Sequence, residues 1–333
     1  MTKTVCVTGA TGYVGAHVVS EALDRGYRVR ATVRDPKDEK RCGHVLALAA
    51  GGAERLELVR GDLEDPASFE AALRGVDAVI HTASAVTLTA KDPQREIVDV
   101  AVEGAKNVVR AAKATSTVTR VVMTSSVAAV SGEDKPAAYV FRESDWNDTA
   151  TVATDAYATS KVQAERAARA LATEPGGRAI GFVAILPSLV LGPVLTEQHL
   201  RTSPAILVEL MRGKWPGVPN LWFGVVDVRD LAAVHVSALE VEAPSPRYVA
   251  SSAVMPLREM AAALRAAFVG PLTEEEIKRR ANYDWGTRTH AEGKYRNVFP
   301  GIHFKYAHAS GLLTRASYTT SIGRPGIASI VPR

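Results

Sequence analysis

Thr4–Thr8 is a short apolar, β-branched run, and the residues after it, Gly9-Ala10-Thr11-Gly12-Tyr13-Val14-Gly15-Ala16-His17-Val18-Val19, pass directly from a glycine-rich turn into a helix-like sequence. A strand, a tight turn and a helix in immediate succession commit the chain to opening on a βα unit. Gly9 permits the turn, Gly12 lets backbone N–H groups approach a pyrophosphate, and Gly15 lets the helix pack close to the strand. The helix N-terminus then faces the anionic charge. Three glycines alone are an ordinary property of turns. In this strand-to-helix context they predict dinucleotide binding, with Gly9, Thr11, Gly12, Tyr13 and Val14 as the loop contacts.

Short β-branched runs then alternate with longer Ala-rich runs, the pattern of an α/β doubly wound parallel sheet of Rossmann type. The strands are expected at Thr4–Thr8, Arg28–Val33, Leu56–Arg60, Ala78–His81, Arg120–Thr124 and Gly181–Leu186, and helices at Val14–Arg25, Ser68–Leu73, Val102–Ala114 and Tyr157–Ala172. A chain of 333 residues, 47% hydrophobic, can bury such a core without disulfides or metals. After Pro187 the texture changes to recurring Pro, Gly and Trp. Val225–Val228 and Tyr248–Ala250 read as returning strands, with helices at Asp230–Leu239 and Leu257–Phe268. The division expected is a dinucleotide-binding domain, 1–187 with returning segments at about 225–255, and a smaller discontinuous C-terminal substrate lobe, 188–224 and 256–333. Little is assigned from Asn282 onward.

Lys+Arg number 40 and Asp+Glu 36, a net charge of +4, and the two signs are interspersed, which excludes a nucleic-acid stripe. The run Arg34-Asp35-Pro36-Lys37-Asp38-Glu39-Lys40-Arg41 reads as a solvated surface loop with one exception. About 20 residues after the glycines, an NAD site places an acid on the ribose 2′-hydroxyl. Thr32-Val33-Arg34 stands there, so Arg34 can pair with a 2′-phosphate and Lys40 or Arg41 can add a second cation. NADPH is therefore the expected cofactor, although a shift of one position would bring in Asp35. Asp62 and Leu63, after the third strand, read either as an adenine contact or, for Asp62, as a helix N-cap or turn residue.

Tyr157 and Lys161 lie four apart on one helical face. A phenol has a pKa near 10 and becomes useful at neutral pH only when a cation favours its phenolate. Lys161 supplies that cation and can also hold a nicotinamide ribose. The strand Arg120–Met123 runs into Thr124-Ser125-Ser126, and the C-terminal end of a strand is where open α/β sheets bind ligands. Adjacent serines on a strand point oppositely, so spacing alone does not choose between Ser125 and Ser126.

The glycine loop, the Ser-rich strand end and the Tyr-x-x-x-Lys helix together resemble the extended short-chain dehydrogenase/reductases. Val29 to Pro36, His81-Thr82-Ala83-Ser84, Val102 to Val108, Glu143 to Asp148 and Leu186 to Pro193 are similar to the dihydroflavonol-reductase-like branch, over roughly residues 3 to 255. That branch holds plant flavonoid and cinnamoyl-CoA reductases and microbial aldehyde and ketone reductases. The resemblance implies that Ser126 orients a carbonyl, Tyr157 donates the proton, and Lys161 tunes Tyr157 and binds ribose. It implies cofactor contacts at Thr82, Ala83, Ser84, Thr124 and Ser125, and at Pro187, Ser188, Leu189 and Val190. Cinnamoyl-CoA reductases carry an Asn-Trp-Cys run at the segment holding Asp155-Ala156-Tyr157 here, so thioester reduction is not implied; the family's Pro before the Val102-Glu103-Gly104 motif is Val100.

The function expected is NADPH-dependent reduction of an aldehyde or ketone, hydrophobic or aromatic, to an alcohol. The alternatives are a sugar-nucleotide epimerase or dehydratase holding NAD tightly, and a non-catalytic NADPH sensor, which would tend to lose Tyr157 and Lys161. Pocket candidates are Ser84–Thr87, Ser131–Glu133, Leu189–Leu195 and Trp215–Phe223. These carry few charges, whereas a sugar nucleotide needs cations for its diphosphate. The eight histidines show no metal-ligand spacing, and no metal is expected. Two cysteines, with Cys6 inside an apolar strand, fit a reducing compartment. The first strand leaves no room for a signal peptide, and the longest apolar stretch, Ala179 to Pro193, is interrupted by Pro187 and Ser188 and is too short to span a bilayer. A cytoplasmic monomer or homodimer without a membrane partner is expected.

Overall fold

Runs that are apolar on both faces can satisfy their backbone only inside a sheet covered on both sides, and the computed structural model places them there. It describes residues 2–49, 52–84, 90–132, 134–136, 139–175, 177–212, 217–267, 303–307 and 313–317. The strands in chain order are β1 (Thr4–Thr8), β2 (Arg28–Val33), β3 (Leu56–Arg60), β4 (Ala78–His81), β5 (Arg120–Thr124), β6 (Gly181–Pro187), β7 (Leu189–Leu191), β8 (Trp222–Asp227), β9 (Arg247–Ala250), β10 (Ala253–Pro256), β11 (His303–Ala307) and β12 (Leu313–Ser317). Seven of them form a sheet of order β3-β2-β1-β4-β5-β6-β9, parallel throughout. Val5, Cys6, Val7, Val79, Ile80, Val121, Val122 and Val183 to Leu186 are fully buried within it. Strand order reverses between β1 and β4, which opens a crevice at the C-terminal strand ends. This is the doubly wound Rossmann arrangement.

The helices are α1 (Tyr13–Asp24), α2 (Glu39–Leu46), α3 (Pro66–Ala72), α4 (Val100–Ala114), α5 (Val152–Ala172), α6 (Ala205–Met211), α7 (Val228–Glu240) and α8 (Leu257–Ala267). A π-type turn, Gln94–Asp99, runs directly into α4. Many of the basic residues are used at helix ends. The last carbonyls of a helix lack intrahelical partners and carry partial negative charge. Arg55 donates to Leu23 O at the end of α1, and Arg30 to Ala72 O and Arg74 O at the end of α3. Arg178 takes Ala112 O, Lys113 O and Thr115 O at α4, Lys113 takes Leu171 O at α5, and Arg120 takes Ala238 O and Leu239 O at α7. Crossover helices of a parallel sheet end at the N-terminal ends of the strands, so these cations gather on the side opposite the crevice.

Two compact units result, residues 1–187 with 229–250 and residues 188–228 with 251–333. The second contains the sheet β10-β8-β7, with Leu191, Val225, Met255, Leu257 and Met260 at its core. The strand expected to return to the large sheet at Val225–Val228 is instead part of β8, which pairs with β7 and β10. Only β9 and most of α7 return. β11 and β12 pair antiparallel. A second correction concerns the charge run: it is a loop only as far as Asp38, which caps α2 by accepting the Arg41 N–H. Among the described residues no helix is long and apolar enough to cross a membrane.

Candidate active site

The glycine turn is as tight as its composition predicts. Gly9 has φ +69°, where a side chain is strained, and a Cβ there would lie 2.7 Å from the Ala83 Cα. At Gly15 an added Cβ would meet the Gly9 carbonyl oxygen at 2.2 Å and Thr82 Oγ1 at 2.7 Å. Gly12 donates to Gly9 O at 2.9 Å and caps α1 without a side chain, and no acid sits in the first turn of α1. The N-terminal dipole is thus left for an external anion. The end of β4 is stitched to the end of β1, with Thr82 Oγ1 donating to Thr8 O at 2.6 Å and Ala83 N–H to Thr8 Oγ1 at 3.3 Å. This holds Thr82 and Ala83 beside the glycines.

Arg34 follows β2 directly. Arg34 and Lys40 are exposed and have no ion-pair partner among the described residues. Arg41 pairs with Asp38 at 3.4 Å. The Asp35 carboxylate accepts Lys37 N–H at 2.9 Å and so closes its own turn. His44, unremarked in the sequence, is bonded to the Thr11 backbone, and burial lowers its pKa. Asp62 Oδ1 accepts Glu64 N–H at 3.2 Å, the turn-forming role, whereas the residue at the cap of α3 is Asp65. Leu63 is held from α4: Asn107 Nδ2 donates to Leu63 O at 3.0 Å, and a Cβ on Gly104 would lie 2.7 Å from Leu63. The Val102-to-Val108 motif thus shapes the loop after β3.

The helix expected to begin at Tyr157 starts earlier, at Val152, but Asp155 is non-helical (φ −154°, ψ 88°) and its carboxylate caps Ala158 N–H at 2.8 Å. Tyr157 therefore stands in the first turn of a restarted helix and is 39% exposed, while Lys161 is 6% exposed. Lys161 Nζ lies 5.5 Å from the Tyr157 ring centroid and donates to Ser84 Oγ at 2.9 Å, so the cation is fixed beside the ring. Ser84 and Lys161 are brought together from the segment after β4 and from α5.

The three hydroxyls at the end of β5, on Thr124, Ser125 and Ser126, have different surroundings. Thr124 Oγ1 bonds His235 Nε2 at 2.7 Å. Ser125, expected among the cofactor contacts, is buried and gives its hydroxyl to Glu165 Oε2 at 2.6 Å. Ser126 has extended backbone and accepts Ala128 N–H at 3.1 Å; its own proton has no acceptor among the described residues. Pro187 ends β6, while Ser188, Leu189 and Val190 belong to the second unit, the last two on β7. Ala85, Val86, Thr87, Glu133 and Trp215 lie outside the described residues.

Two buried imidazoles border these groups. Desolvation, with Lys161 nearby, pushes the His81 pKa down to about 3, and its Nδ1 meets Thr8 Oγ1 at 2.7 Å. Desolvation likewise pushes His235 down to about 4, against a backbone bond to Leu231 that favours its charged form. An unfolded histidine protonates near 6.5, so between that pH and about 4 the unfolded chain binds protons that the folded chain refuses. Stability is retained above pH 6.5 and lost as pH falls, at about 1.4 kcal/mol per histidine per pH unit. Melting temperature measured against pH is expected to drop across this window, and less steeply in His235→Gln; identical slopes would contradict the assignment.

The NAD dependent epimerase/dehydratase family model matches residues 5–250, from β1 to the end of β9. The chain belongs to this family. Within it, this epimerase/dehydratase-family chain is similar to cinnamoyl-CoA reductase CAD2 of Medicago truncatula, 37% identical over 268 residues, covering 79% of this chain and 80% of the relative. Dihydroflavonol 4-reductase of Gerbera hybrida is 36% identical over 258 residues, covering 75% and 68%. Among solved structures, the yeast methylglyoxal/isovaleraldehyde reductase Gre2 complexed with NADPH superposes with a TM-score of 0.72 at 28% identity, covering 80% of this chain and 82% of that one. The expected likeness to the dihydroflavonol-reductase branch of the extended short-chain enzymes is therefore found. These three relatives are reductases.

Proposed function

We propose that the protein reduces an aldehyde or ketone to an alcohol at the expense of NADPH. The observation that carries this reading is the buried Lys161 side chain beside Tyr157, in a unit that also presents a glycine cradle and an exposed Arg34 with no ion-pair partner among the described residues. The residues fit a dinucleotide. Gly9, Gly12 and Gly15 leave room that a Cβ would fill, the N-terminus of α1 is free of acids, and Arg34 with Lys40 suits a 2′-phosphate. With Asp35 spent on its own turn, the acid that an NAD ribose would use is not presented.

Bound reduced nicotinamide supplies a hydride to the carbonyl carbon. As charge develops on the carbonyl oxygen, Tyr157 passes its phenolic proton to it and Ser126 donates a hydrogen bond, both strongest in the transition state. Lys161, held by Ser84 beside the Tyr157 ring, would offset the negative charge left on the phenolic oxygen and would hold the ribose. An apolar or aromatic carbonyl compound suits pocket candidates with few charges. The absence of the Asn-Trp-Cys run supports an aldehyde or ketone over a thioester.

The cofactor assignment is tested by the ratio of NADPH to NADH affinity. Wild type is expected to prefer NADPH by at least about tenfold, and Arg34→Ala to lose most of that preference through loss of one charge-assisted phosphate contact. An unchanged ratio in the variant, or NAD released from the purified protein on denaturation, would favour the epimerase reading.

A further inference from the structure

Helix α5 carries polar side chains one turn apart at Tyr157, Lys161 and Glu165, and the mechanism above uses only the first two. Glu165 is completely buried. Burying a carboxylate is costly unless it is paired and hydrogen-bonded, and this one is fully engaged. Oε2 accepts the Ser125 hydroxyl at 2.6 Å and Arg247 Nη2 at 3.3 Å; Oε1 accepts Arg247 Nε at 2.7 Å and Arg169 Nη2 at 3.4 Å. Arg247, 3% exposed, is itself immobilised. Its Nη1 donates to Glu143 O and Asp145 O, each at 2.6 Å, and its guanidinium lies 3.8 Å from the Trp146 ring centroid.

This cluster ties α5 to the end of β5. Ser125 N–H is bonded to Ile185 O at 2.7 Å and its side chain points inward to Glu165. Ser126 keeps extended backbone (φ −162°, ψ 155°), so its side chain is directed to the opposite side. We propose that Glu165 and Ser125 are positioning residues for Ser126: their hydrogen bond fixes the strand end against the helix that carries Tyr157 and Lys161. Arg247 anchors the carboxylate. The inference rests on the reading that Ser126 bonds the substrate carbonyl. Errors of about 1 Å in such placement can cost up to about a hundredfold in rate.

The experiment is a double-mutant cycle in the full chain, with NADPH and an aromatic aldehyde, reading kcat, KM, NADPH affinity and melting temperature. Ser126→Ala is expected to lower kcat about a hundredfold. Ser125→Ala is expected to lower kcat about tenfold with NADPH affinity retained, and to have no further effect in the Ser126→Ala background. The same tenfold loss in both backgrounds would indicate a merely structural role and overturn the proposal, as would wild-type kcat in Ser125→Ala. Full turnover in Ser126→Ala would instead overturn the role of Ser126, and the proposal with it. Glu165→Gln keeps an acceptor for Ser125 and is expected to retain more turnover than Glu165→Leu. Equal losses in those two variants would exclude the hydrogen bond as the cause.

Discussion

Tyr157→Phe is expected to bind NADPH as the wild type does and to lose turnover by about 10²–10⁴-fold, the usual contribution of a positioned general acid. The substitution removes one oxygen from a residue that is 39% exposed, so no cavity or orphaned buried partner follows and the fold should be unaffected. Lys161 remains tied to Ser84, so the ribose contact proposed for it should be retained. The loss should therefore fall on kcat rather than KM. Stopped-flow binding of NADPH and steady-state turnover on the same preparation check both halves. Retained turnover would remove Tyr157 from the mechanism.

Gly15→Ala should have an effect of comparable size by a different route. The added methyl would sit 2.2 Å from the Gly9 carbonyl oxygen and 2.7 Å from Thr82 Oγ1, and the first contact is with backbone that cannot swing away. α1 must back off from β1, at a cost of about 1–3 kcal/mol in stability for such overpacking. Retreat of the helix also displaces the N–H groups that would meet a pyrophosphate. NADPH affinity is expected to fall by at least about tenfold, measurable by fluorescence titration beside a melting curve. Gly43→Ala is the control, because open space surrounds that position on α2. Wild-type affinity in Gly15→Ala would show that the cradle does not bind the dinucleotide.

The large sheet was legible because its central strands β1, β4, β5 and β6 are largely apolar runs, each closed by a turn or a polar strand end, as at Val121-Val122-Met123-Thr124. Helix α2 was hidden in its charge run, since only Cys42 and Val45 are buried in it and two residues make no period. The second unit was harder to read for a related reason. β7 and β10 have three and four residues, too few for alternation to show, and β8 looked like one more strand of the parallel sheet.

At the candidate site, the placement of Lys161 beside Tyr157 and the tight glycine turn were legible because both depend on local spacing. That Ser125 turns inward was not legible, because it depends on Glu165, forty positions further on, and on Arg247, eighty-two beyond that. Nothing in the local sequence of β5 signals a buried carboxylate behind it. The same holds for His235, which reaches Thr124 from α7.

The central claim is tested most directly by mixing the purified full chain with NADPH and, in parallel, NADH, against aromatic and aliphatic aldehydes, ketones and flavanonols, following loss of the reduced-nicotinamide absorbance. The account predicts consumption of NADPH matched mole for mole by alcohol product with at least one carbonyl compound, faster than with NADH. No consumption with any carbonyl, together with bound NAD in the purified protein and conversion of a sugar nucleotide, would contradict it.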